Sequence, residues 1–289
     1  QVVRQRSAKP LFAGSIPAVA SISIPSHFSF EATVESHGWY RLAPFRWSRD
    51  ERVLRRKEVL DGTLYDLVID MHRRALRVRG APDTPELRAR ITRMFQLNVE
   101  TAEFIALARN SPAHTWVEQA NFGRLLCGAT LFEDAVKIIL TTNVTWSQTV
   151  KMCALLVEKC GNGGAFPSPA EIARFSPDEL QRDCRLGYRS KTIHALSTMH
   201  IDIDSTAPTP DLYKQYLALP GIGPYGAAHL LAMDGRHDFI AVDTEFRRFV
   251  RETYHGGRKV SDKTMLRRYA KWGRWKYLAY WSELWNERG

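Results

Sequence analysis

The sequence predicts an α+β protein, mostly α, in which an N-terminal antiparallel sheet precedes a helical domain. Three observations carry this. Between residues 28 and 80 apolar residues alternate with polar ones, the two-residue period of a strand. After Pro85 the apolar spacing changes to the threes and fours of helices and largely keeps them. The stretch LPGIGPYG over residues 219–226 sets glycines between two apolar-periodic segments, so two helices meet there at a tight turn. At 289 residues the chain is long enough for two core-forming layers or subdomains.

Residues 1–27 read as a tail or a leading strand. Arg4, Arg6 and Lys9 precede an Ala-, Ser-, Ile- and Val-rich run from Leu11 to Ile24, a composition shared with targeting signals, but Gly14, Pro17 and several serines interrupt it. Residues 28–110 read as the sheet subdomain with its following helices. Residues 28–34 and 39–45 are expected strands, and 63–71 with 75–79 an expected hairpin turned at 72–74. Residues 111–289 read as the helical domain, with linkers at 110–112, 161–169 and 205–210. Within it, one helix starts at Leu131 and breaks at Thr141, Thr142 and Asn143 before a second that runs to about Lys159. The two-helix turn occupies about 212–233. In the segment 241–248, apolar Ala241 and Val242 deliver Asp243 to a helix start.

Lys plus Arg outnumber Asp plus Glu by 41 to 31, a formal net charge of +10. A basic chain of this kind suits a polyanion, and such binding weakens with salt. No run of about twenty apolar residues is present, so no membrane span is expected. Cys127, Cys153, Cys160 and Cys184 lack the close pairing of a zinc site; Cys153 and Cys160, one heptad apart, read as buried thiols of a reducing compartment.

Two places carry chemistry. Glycines at 221, 223 and 226 let a partner approach the backbone, and N–H groups freed at the turn and at the second helix's start make a seat for a phosphate. Asp243 has two compatible readings, helix cap and reacting carboxylate. A helix start favours its ionised form, and an ionised carboxylate can stabilise a sugar that gains positive charge as a glycosidic bond breaks.

The hairpin LPGIG, followed by Val242-Asp243-Thr244 with Asp243 eighteen positions after Tyr225, resembles the helix-hairpin-helix glycosylase superfamily of base-excision DNA repair. The early sheet resembles its alkylpurine and 8-oxoguanine branches. The resemblance implies a helical glycosylase core that bends duplex DNA, flips one nucleotide out and hydrolyses its base–sugar bond, with Asp243 as the essential carboxylate. Members that also cut the strand carry a lysine where this chain has Tyr225, so a monofunctional enzyme that leaves an abasic site is implied. Tyr225 either lines the base pocket or packs between helices. Thr142 and Asn143 match the segment that fills the hole left by the flipped base, or simply cap a helix. Gly38, in a glycine-plus-aromatic stretch, and Trp272, in the Trp-rich last segment, are further pocket candidates, although most rings of that segment are expected in the core. Backbone at Gly221, Ile222, Gly223 and Gly226, with Thr244 and Arg247, is the implied DNA grip.

In relatives a monovalent cation, Na⁺ or K⁺, sits on main-chain carbonyls equivalent to Leu217, Leu219 and Ile222. No other cofactor is expected, and no iron–sulfur cluster, because no cysteine follows Cys184. The implied partner is double-stranded DNA, bound by a monomer inside the cell, in the nucleoid or the nucleus. The base is left open between alkylated purines, which suit Tyr225 and the tryptophans, oxidised purines, which suit the Thr-Thr-Asn turn, and hypermodified bases of phage DNA. A non-catalytic hairpin module that only holds DNA is the alternative of another class.

Overall fold

The computed structural model describes residues 19–288, so the basic positions Arg4, Arg6 and Lys9 lie outside the described residues. Strands β1 (Val19–Ser23), β2 (Arg46–Ser48), β3 (Val53–Leu60), β4 (Thr63–His72) and β5 (Ala75–Arg79) form one antiparallel sheet in the order β1-β5-β4-β3-β2. Residues 19–23 are thus a leading strand. Two tight turns set the register. Asp61 and Gly62, with φ of 45° and 74°, place Leu60 opposite Thr63; both tolerate positive φ, the conformation a two-residue hairpin needs. At the next turn His72 faces Ala75, so the hairpin expected over 63–79 is present.

Two expected strands are not. Residues 30–34 form helix α1 (Phe30–Val34), capped by Ser29, whose Oγ accepts the Ala32 N–H at 3.2 Å. Phe30, Thr33 and Val34 are buried, and over so short a run this helical spacing is hard to tell from alternation. Residues 38–41 make a 3-10 turn, Gly38–Arg41, and sheet pairing starts only at Arg46. Strand β3 was not expected because half of its inward face is charged: Arg56 and Glu58 alternate with buried Leu54 and Leu60. They survive burial as a network, since Arg56 meets Glu133 at 3.0 Å, Lys137 meets Glu133 at 2.7 Å, and Arg90 reaches Glu58.

The helices that follow are α2 (Pro85–Met94), α3 (Ala102–Arg109), α4 (Trp116–Ala120), α5 (Leu131–Thr141), α6 (Trp146–Cys160), α7 (Pro169–Ile172), α8 (Pro177–Cys184), α9 (Arg189–Thr198), α10 (Thr209–Leu217), α11 (Pro224–Met233), α12 (Thr244–His255), α13 (Asp262–Arg267) and α14 (Lys276–Arg288). Helix α5 is buried from Phe132 to Leu140 and packs on α11, buried from Gly226 to Met233. Helix α11 is apolar nearly all round, as central helices are, whereas α5 also buries Glu133, Asp134 and Lys137, each ion-paired. One core joins the sheet to α5, α6 and α11; a second, aromatic core gathers Phe104, Phe246, Phe249, Tyr269, Trp272, Trp275 and Tyr280 beneath α14.

All four cysteines are buried and free, with the Cys160 and Cys184 sulfurs 3.9 Å apart. Among the described residues no group of three or more His, Cys, Asp or Glu could hold a metal, and no helix is long and apolar enough to cross a membrane.

Candidate active site

Helices α10 and α11 join through Leu219 to Gly223. Gly221 has φ of 75°, and a Cβ there would lie 2.2 Å from Thr192 Cγ2, so only glycine fits without a shift. Gly223 is exposed at the N-cap of α11, with open space where a Cβ would stand. Its neighbours differ from the sequence expectation. The Ile222 side chain is buried and its N–H is donated to the Leu219 carbonyl at 3.1 Å, closing the turn. Gly226 is buried where α11 crosses α5, its missing Cβ 3.1 Å from Ile138 Cγ2. Its smallness serves helix packing, and the exposed backbone is centred on Gly221 and Gly223.

Asp243 is the N-cap of α12, and its Oδ1 accepts the Phe246 N–H at 2.7 Å. Burial lifts its pKa, as does nearby Glu245, while N–H donors from Phe246 and Glu245 and the Arg247 charge oppose the rise. The helix start therefore does not dominate as expected; desolvation does. Thr244 is exposed beside it. Arg247, an expected DNA contact, is held by Asp262 through contacts of 2.9 and 2.8 Å.

Asp243 opens onto a cavity of about 710 Å³. Gly38, Tyr225, Asp243 and Thr244 line it together, far apart in sequence yet around one space, and so do Trp39, Trp146, Tyr277, Trp281 and Trp285. The wall made by residues 35–39 is pinned from three sides. Trp285 Nε1 donates to the Glu35 carbonyl at 3.1 Å and Trp281 Nε1 to the Ser36 carbonyl at 2.7 Å. His37 Nε2 donates to the Leu126 carbonyl at 2.7 Å, and Trp39 Nε1 to Asp134 Oδ1 at 2.8 Å. Gly38 lies so close under Trp146 that a Cβ would stand 2.4 Å from Cζ2; it lets an indole cover a turn rather than belonging to a strand.

Tyr225 stacks on His229 with ring centroids 5.8 Å apart, and burial pushes its phenol up to about 12, so it stays protonated at neutral pH. Trp272 is absent from the cavity wall. It is 4% exposed and packs on His114 and Phe104 at 4.4 and 5.9 Å, so its role is in the aromatic core. Trp281 and Trp285, one turn apart on α14, take the place expected of it. Helical spacing held the signal for one missed lining residue: His229 stands four positions after Tyr225, on the same face.

The loop after α5 stands at the side of this cavity. Asn143 is exposed with φ of 52°, and its Nδ2 donates to the Tyr188 hydroxyl at 3.2 Å. Thr142 Oγ1 donates to the Ile139 carbonyl at 2.8 Å, ending α5, while Thr145, not Thr142 or Asn143, caps α6. Tyr188, 60% exposed, is a second projecting residue that the sequence reading missed. At the hairpin, the Leu219 carbonyl keeps one lone pair after accepting the Ile222 N–H, which leaves it able to serve a cation.

Comparison with known proteins follows this geometry. Residues 136–274 match the family model described as HhH-GPD superfamily base excision DNA repair protein. A 3-methyladenine DNA glycosylase from Archaeoglobus fulgidus has a similar fold, with a TM-score of 0.75 and 19% identity over 93% of this chain and 98% of that one. An 8-oxoguanine glycosylase/lyase from Clostridium acetobutylicum, solved with double-stranded DNA containing cytosine opposite 8-oxoguanine, gives 0.70 and 15% over 91% and 92%. A comparison with curated protein sequences found no match. The matched residues carry the hairpin, the Asp243 segment and the loop at Asn143, and over them this chain is similar to the HhH-GPD superfamily of base excision DNA repair proteins.

Proposed function

We propose that this protein is a monofunctional DNA glycosylase that hydrolyses the base–sugar bond of a positively charged, N-alkylated purine flipped out of duplex DNA. The observation that carries this reading is the meeting of Asp243 and Tyr225 on one aromatic cavity. Bond cleavage builds positive charge on the sugar, and the Asp243 carboxylate, partly withdrawn from water, can stabilise that charge and orient the incoming water. Tyr225 holds a protonated phenol at the lysine position of strand-cutting relatives, and a phenol forms no imine.

Charge and π-faces support the choice of base. Four indoles and several phenols line the cavity beside Asp243, while the charges of Glu35 and Glu245 are met by Arg49 and Arg248, and His37 and His229 are kept neutral by burial, their pKa lowered to about 3 and about 4. Such a box favours a cationic ring over a neutral one. Exposed Asn143 and Tyr188 would fill the space the base leaves, and the exposed backbone at Gly221 and Gly223 would grip a phosphate. A Na⁺ or K⁺ ion on the carbonyls of Leu217, Leu219 and Ile222 would stiffen that grip. The protein acts in this reading as a monomer on double-stranded DNA.

The test is a duplex carrying one 7-methylguanine, incubated with protein and then heated in alkali. Base release yields alkali-labile sites beyond the spontaneous background, and simple binding yields none. Strand breakage without alkali, or covalent trapping by borohydride, rules out the monofunctional reading. Release confined to 8-oxoguanine or to hypermodified phage cytosines overturns the choice of base while leaving the hydrolysis standing.

A further inference from the structure

The cavity wall has a polar feature that neither bond cleavage nor charge stabilisation uses. His229 is 5% exposed, lines the cavity, and sits among the rings of His37, Trp39, Tyr225, Tyr277 and Trp281, with centroids between 5.5 and 6.4 Å away. Its Nδ1 is engaged by the Tyr277 hydroxyl at 3.1 Å. Its Nε2 has no hydrogen-bond partner, and among the described cavity-lining residues it is the one buried side-chain nitrogen or oxygen so left. The indole donors beside it are satisfied elsewhere, Trp39 by Asp134 and Trp281 by Ser36. A buried polar atom without a partner is destabilising, so its persistence in a binding cavity points to a ligand atom that completes it.

We propose that His229 Nε2 is the specificity-determining atom that hydrogen-bonds the edge of the flipped base, and that the substrates are purines whose edge carries an oxo or amino group. The inference rests on the glycosylase reading above and deepens it. Tyr277 explains why one ring serves both groups. A hydroxyl can donate or accept. When Tyr277 donates to Nδ1, Nε2 bears the proton and gives it to an oxo group. When Tyr277 accepts from Nδ1, the Nε2 lone pair takes an amino N–H. His37 has no such freedom, because the Leu126 carbonyl can only accept and so holds the proton on Nε2, leaving Nδ1 as an acceptor. Burial keeps both rings uncharged at neutral pH, so they read the edge without repelling a cationic base.

The experiment uses three duplexes bearing 7-methylguanine, 7-methyladenine or 7-methylpurine with no substituent at C6. Single-turnover release from each is divided by its spontaneous rate. The wild type is expected to favour the two substituted bases by about tenfold or more, the worth of one buried hydrogen bond. His229→Phe, which keeps a ring and removes the nitrogens, is expected to bring that ratio close to one. His229→Gln, which keeps a donor and an acceptor, retains part of it. An unchanged ratio in the Phe variant, equal slowing on all three duplexes, or complete loss of the ratio in the Gln variant overturns the assignment. If the wild type releases none of the three bases, the reading of an N-alkylated purine as substrate fails instead, and the two failures are told apart by that control.

Discussion

Asp243 caps a helix with the carboxylate that the proposed reaction would use. Its Oδ1 closes the first turn of α12 on the Phe246 N–H, and asparagine can make that bond equally well. Asp243→Asn is therefore expected to fold, to bind duplex DNA as tightly as before, and to lose base release by about 10²-fold or more. A variant that releases base at the normal rate excludes Asp243 as the essential group. The raised pKa adds a second expectation. A carboxyl whose folded pKa lies above its unfolded value contributes stability at low pH that is lost as pH rises through the folded pKa. At neutral pH the ionised form opposes folding, so Asp243→Asn should melt higher than the wild type there. The same shift places the acid limb of base release above that of an unperturbed aspartate, read as the fall in single-turnover rate on acidification; a limb at or below that of an unperturbed aspartate contradicts it.

The hairpin between α10 and α11 separates two glycines by what they do. Gly221 needs positive φ and has Thr192 beneath it, so Gly221→Ala should cost about 1–3 kcal/mol in chemical denaturation. Gly223→Ala meets open space at ordinary φ, so stability should change little while affinity for duplex DNA falls, because the added methyl blocks backbone from phosphate. Equal stability losses in the two would show that neither position is reserved for a partner. The hairpin and the VDT segment were legible in sequence because each depends on residues whose backbone needs are distinctive. The β4–β5 hairpin was legible from its strand alternation instead, since Arg73 and Arg74 at its turn carry no turn signal. Strand β3 was not, because Arg56 and Glu58 face inward and find partners, Glu133 and Arg90, that are remote in sequence. Residues 28–45 were misread because a short apolar pattern does not distinguish strand from helix. Trp272 was misplaced because two helical faces of the aromatic segment look alike until the core beneath α14 is known.

At the scale of the whole molecule, titration and salt should leave clear marks. His37, His114, His229 and His237 are buried with lowered pKa, His37 and His237 to about 3 and His229 to about 4. A base with a depressed pKa contributes stability that is whole above about 6.5 and lost as pH falls through the folded value. Asp234, pushed up to about 6 by burial, and Asp243 act in the opposite sense. With four groups against two, the melting temperature should fall between about pH 6.5 and pH 4.5; a rise on acidification would refute this balance. The net charge of +10 implies that affinity for duplex DNA falls by at least about tenfold over a fourfold rise in salt. A salt-independent affinity would mean that phosphates contribute little.

The hydrogen bonds from Trp281 to Ser36 and from Trp285 to Glu35 span 245 and 250 positions of chain. A polypeptide still emerging from the ribosome can already fold its hairpin and much of its sheet, yet it has no chamber until α14 comes back across residues 35–36. Newly made copies would therefore have the complete cavity only after α14 has been synthesised and has docked on residues 35–36. Loss of that one helix should remove the cavity and open the aromatic core that packs against it as well.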